Sequence, residues 1–66
     1  SAAFKHLIAA LGHLGRRDEA RQYIETLLAL EPNFTVRRFG EVYPFKHARD
    51  RNRYMAGLRK AGVPEN

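Results

Sequence analysis

The residues of this 66-residue chain most able to do chemistry are its cations, twelve Lys and Arg against seven Asp and Glu, for a net charge of +5. Read as a helix, the stretch from Ala48 to Lys60 puts Arg49, Arg53 and Lys60 on one stripe, flanked by Asn52 and Arg59, with Arg37 and Arg38 nearby in sequence. A basic helix face can hold phosphates, with an affinity that falls steeply as salt rises. Helices that read bases, however, carry Asn, Gln, Ser or Thr at their start. Here the start is His47-Ala48-Arg49-Asp50, and Asp50 meets phosphate with the wrong sign. A solvated helix face is the plainer reading, which leaves nucleic-acid binding as the alternative function.

Other chemistry is sparse. His6 and His13 share a helix face but stand seven residues apart, roughly 10 Å along the axis, too far to hold one ion. Asp18 and Glu19 point to different sides of a helix start, where they offset the backbone dipole rather than share a proton. No Gly-rich phosphate loop, no His-Glu-x-x-His and no nucleophile spaced near a base is present. Asn33-Phe34-Thr35 matches a glycosylation acceptor, but it also suits a turn between helices. There is no cysteine, hence no disulfide or thiolate site. No catalytic, metal or cofactor residue is therefore expected. The aromatic residues Phe4, Tyr23, Phe34, Phe39, Tyr43, Phe45 and Tyr54 could line a ligand cage, yet their helical spacing favours a core. Tyr43 and Tyr54 are expected to keep their hydroxyls at its rim, where a partner can reach them.

The elements that place these residues centre on Gly12 to Ala20. Before it, Phe4, Leu7, Ile8, Leu11 and Leu14 fall within an arc of roughly 120° on a helix running from Ala2 or Ala3 to Leu14, with Lys5, His6, Ala9 and His13 on the other side. Gly15 supplies the left-handed residue that a helix end needs. A second helix follows over Arg17 to Leu30, with Ala20, Tyr23, Ile24, Leu27, Leu28 and Leu30 on a wide apolar arc, an Arg21–Glu25 pair on its surface, and Pro32 as its stop. Thr35 is placed to cap a short third helix carrying Val36, Phe39, Val42 and Tyr43 on one side, and Pro44 ends it. A fourth helix runs from Ala48 to Lys60 with Tyr54, Met55, Leu58 and Ala61 inward; Gly62 and Pro64 punctuate its end.

Phe4, Leu7, Leu11, Gly15, Ala20, Ile24, Leu27 and Pro32 resemble the tetratricopeptide repeat (TPR), a helix-turn-helix unit of about 34 residues. The resemblance covers residues 3 to 33. Ile8 and Leu27 depart from the pattern, since smaller residues usually stand at these helix contacts. The wording from Ala9 to Arg16 and from Leu58 to Glu65 is further similar to the C-terminal TPR region of bacterial class III adenylate/guanylate cyclase-like signalling proteins. That likeness implies a cyclase domain elsewhere in a longer protein. None of its catalytic motif lies here.

The chain begins without Met and nearly within a helix, so it reads as a piece of a larger protein. It has no apolar run of about 18 residues that could span a membrane, no signal-peptide pattern, and a cytoplasmic setting is expected. The expected fold is all-α: four helices as two stacked antiparallel hairpins, a TPR-like hairpin over residues 1–33 and a degenerate second one with a C-terminal cap over 34–66. The leading function is a non-catalytic protein–protein interaction module. Its apolar surface would be Phe4, Leu7, Ile8 and Leu11, unless the later helices cover them, with Arg37, Arg38, Arg49, Arg53, Lys60, Tyr43 and Tyr54 as its basic and aromatic rim. The expected partners are upstream repeats of its own chain, a second copy in a two-fold homodimer, or an acidic peptide.

Overall fold

The computed structural model describes residues 2–66, which form α1 (Ala2–His13), α2 (Arg17–Leu30), α3 (Val36–Val42) and α4 (Ala48–Ala61), with no strand among the described residues. The expected all-α fold of about four helices is present. Local chemistry fixes the ends of α1, α3 and α4. Gly15 adopts φ +75° after α1, and the turn closes with Gly15 N–H on the Gly12 carbonyl and Arg16 N–H on the Leu11 carbonyl. Gly62 repeats the device after α4 at φ +107°, with Gly62 N–H on Arg59 and Val63 N–H on Leu58. Both pairs satisfy carbonyls that a helix end otherwise leaves unpaired. The Thr35 hydroxyl accepts from Arg38 N–H at 3.1 Å, as an N-cap does. Tyr43, the residue before Pro44, is extended and ends α3.

α1 is the central element, held by α2 on one side and by α4 on the other, while α3 packs chiefly on α4. The second helix pair meets the first mainly through α4 against α1, and the seven-residue α3 is only about 10 Å long. One core draws on both halves of the chain: Ile8 and Leu11 of α1, Ala20, Ile24 and Leu27 of α2, Phe34, Val36 and Phe39 around α3, and Leu58, Ala61 and Val63 from the end.

Where α1 meets α4, the sequence reading is corrected. Ala9, assigned above to the solvent side, is buried, and Gly12 beside it is buried too. A Cβ on Gly12 would collide with the Gly57 carbonyl, and one on Gly57 would stand 2.6 Å from the Ala9 carbonyl oxygen. Small residues on both helices let the two backbones touch. His13 Nε2 donates to the Arg53 carbonyl at 2.8 Å across the same seam.

The chain end closes the structure. Val63 is buried, and the next two carbonyls serve the start of α3: Val36 N–H donates to Pro64 O at 2.9 Å and Arg37 N–H to Glu65 O at 3.1 Å. With Thr35 serving Arg38, three successive N–H groups of α3 gain partners. The expected Arg21–Glu25 pair does not form. Among the described residues the ion pairs are Lys5–Glu31, Arg16–Glu19, Arg37–Glu41 and Arg59–Glu65.

Candidate functional site

Two surfaces stand out, one apolar and one mixed. The apolar one lies on the α1–α2 hairpin. Ile8 and Leu11, expected to contribute to it, belong to the core instead, because α1 is packed on by both α2 and α4. Their neighbours do remain outside. Leu7 and Leu14 recur at a seven-residue interval on α1 and are 38% and 67% exposed; Tyr23 and Leu30 repeat that interval on α2 at 36% and 65%. The half-buried Phe4 joins the two stripes through its ring, 5.9 Å from that of Tyr23. On α1 this face sits beyond Leu11 from the Ile8–Gly12–Ala9 side that meets α4, so the fold leaves it uncovered.

The mixed surface is a groove of about 480 Å³ between α3 and the turn after α2. Phe34 and Phe39 form its floor, Arg38, Val42, Tyr43 and Pro44 one wall, and Lys5, Glu31, Pro32 and Asn33 the other. Lys5 is largely enclosed. Its ammonium lies 3.3 Å from the Glu31 carboxylate and 5.1 Å from the Phe34 ring centre, so charge and π-face both satisfy it. Arg38 is exposed and has no carboxylate partner among the described residues. Val42 is 80% exposed beside it.

Of the aromatic residues expected in the core, Phe34 and Phe39 are buried and Phe45 and Tyr54 pack against them, whereas Tyr23 and Tyr43 stay exposed. Phe39 is the hub, with the rings of Tyr54, Tyr43, Phe45 and Phe34 at 4.8, 5.1, 5.7 and 5.8 Å. Tyr43 reaches the groove wall. Tyr54 sits deeper, half-buried between Phe39 and the His6 ring 4.9 Å away. Burial, and to a smaller extent Tyr43, pushes its phenol well above the usual tyrosine range.

The basic residues divide. Arg49, Arg53 and Lys60 are exposed along α4, as their spacing requires, whereas Arg37 and Arg38 stand on α3 beyond the 43–47 loop. Arg37 is drawn to Glu41 at 3.7 Å, and only Arg38 enters the groove of Phe34 and Phe39. Charge is unevenly spread. Residues 1–33 hold four basic and four acidic side chains; residues 34–66 hold eight and three, which is the whole net charge. Among the described residues no group of three His, Cys, Asp or Glu side chains gathers to hold a metal, and no helix is long and apolar enough to cross a membrane.

Of the groove, the sequence pointed to Arg38 and Tyr43 but missed Lys5, Phe34 and Val42. Val42, expected on the apolar side of α3, is exposed, because the short helix turns that end of its apolar arc outward. Comparison with known protein families, with curated proteins and with solved structures finds no match for this chain.

Proposed function

We propose that the chain is a non-catalytic protein–protein interaction module that works by packing a helical surface against a like surface. The observation that carries this reading is the uncovered stripe of Leu7, Leu14, Tyr23 and Leu30 on a hairpin whose charges cancel. Apolar surface of this kind gains free energy when water leaves it. The hairpin carrying the stripe is itself neutral, so the excess positive charge lies away from this face and a second copy is the occupant we favour. A two-fold arrangement matches the same patch on both chains and closes without further growth. In the tetratricopeptide reading, this side of the first helix is where an upstream repeat would rest. The parent would then be a cytoplasmic, cyclase-like signalling protein with this region at its C-terminus.

The test is a double substitution, Leu14→Glu with Leu30→Glu. Both side chains are exposed, so the helical circular dichroism should stay unchanged while concentration-dependent association disappears. Association that persists in the double variant would reject this face.

The charge asymmetry supports a second reading, a nucleic-acid-binding helical module using Arg37, Arg38, Arg49, Arg53 and Lys60. Binding to random duplex with a steep salt dependence, lost on neutralising Arg49 and Arg53, would favour it. No binding at low salt would end it.

A further inference from the structure

We infer that the groove beside α3 is a second interaction surface, distinct from the hairpin face, and that it takes an acidic peptide segment. An apolar side chain of the peptide lies against Phe34 and Val42, and its carboxylate meets Arg38. The groove's two cations are not equivalent. Lys5 is matched by Glu31 and by the Phe34 ring beneath it, and so has little left to offer a ligand. Arg38 has no carboxylate partner among the described residues, while its neighbour Arg37 is drawn away to Glu41. A planar guanidinium at the mouth of an apolar trough suits a carboxylate that arrives next to an aliphatic or aromatic side chain. Val42, four-fifths exposed on a helix whose other apolar residues are buried, is otherwise an unrewarded position. The excess of positive charge in residues 34–66 adds a long-range pull on an acidic chain.

The same lining argues against a nucleic-acid backbone here. Glu31 stands in the opposite wall, and Pro32, Val42 and Pro44 provide no donor to phosphates, whereas a polyanion needs several cations in succession. A peptide needs only one or two. None of the residues invoked is shared with the Leu7–Leu14–Tyr23–Leu30 face. Failure of either surface can therefore be seen separately, one in peptide binding and the other in association state.

The experiment is an amide chemical-shift titration of the full chain with a blocked octapeptide of alternating Glu and Leu or Phe, its Gln-substituted analogue serving as control. Saturable shifts confined to Lys5 and residues 31–44, absent with the Gln analogue, are expected. Arg38→Gln should weaken binding by about fivefold to tenfold, the loss of one charge-assisted contact, and Val42→Asp should abolish it. Arg37→Gln should change it by less than about twofold, since Arg37 does not line the groove. Both arginines are exposed, and an unchanged spectrum away from the groove verifies the fold of each variant. No shift at about 1 mM peptide would overturn the assignment. So would equal losses from Arg37→Gln and Arg38→Gln, or a duplex that shifts the same residues more tightly than the peptide does.

Discussion

Gly12 of α1 and Gly57 of α4 face each other so closely that neither has room for a methyl group. A Cβ on the first would strike the Gly57 carbonyl, and one on the second would stand 2.6 Å from the Ala9 carbonyl oxygen and 2.8 Å from the His13 ring. Both partners are main chain or a ring held in place by its bond to Arg53, so neither can yield cheaply. Gly12→Ala and Gly57→Ala should each destabilise the fold by about 1–3 kcal/mol, the range for overpacking a tight contact. A chain of this size has only about 3–10 kcal/mol in all. Urea unfolding followed by circular dichroism checks it. No loss, or a gain approaching the roughly 1 kcal/mol by which helix propensity favours Ala over Gly, would mean that the helices simply move apart.

The tail from Val63 onward is expected to act as part of the core rather than as a free end. Deleting residues 63–66 removes a buried valine, worth about 1.5–3 kcal/mol, and the carbonyls that serve Val36 and Arg37. Hydrogen exchange should then speed up at Val36 and Arg37 more than at Arg38, which keeps its Thr35 cap. Uniform acceleration across all four helices would instead show global loss of stability with no local uncapping.

Legibility in the sequence follows locality. Helix ends were readable because Gly15, Thr35, Pro44 and Gly62 act on their own neighbours through backbone conformation or a short hydrogen bond. The aromatic core was readable from spacing. The α1–α4 contact was not, because Ala9, Gly12 and Gly57 bury almost no apolar side chain and so leave no hydrophobic stripe to detect. Small residues at Ala9 and Gly12, and again at Gly57 and Ala61, were the available signal. Leu14 and Leu30 fit an apolar arc yet stay outside, since periodicity marks a face without saying whether anything covers it. The groove was half visible: Arg38 and Tyr43 both belong to α3 and its end, but Lys5 and Phe34 join them only through the fold.

Tyr54 makes stability depend on alkaline pH. In the unfolded chain its phenol ionises near about 10, while in the fold burial, with Tyr43 second, keeps it protonated to higher pH. The native state thus retains a proton that the unfolded state releases, so its contribution is whole below about pH 10 and is lost as pH rises further. Tyr54→Phe should flatten the fall in stability above about pH 10. The slope removed lies well under the limit of about 1.4 kcal/mol per pH unit, because the side chain is only half-buried and solvent screens it. Parallel curves for the two proteins would show that Tyr54 ionises as freely in the fold as outside it.

Sedimentation equilibrium of the unsubstituted chain, from about 1 μM to near 1 mM at low and at high salt, tests the interaction-module reading most directly. Burial of the Leu7, Leu14, Tyr23 and Leu30 stripe between copies predicts a monomer–dimer equilibrium that persists or tightens at high salt, as apolar contacts do and charge contacts do not. A single monomeric species at every concentration and both salts would contradict it, and would show that the four helices satisfy all of their own apolar surface.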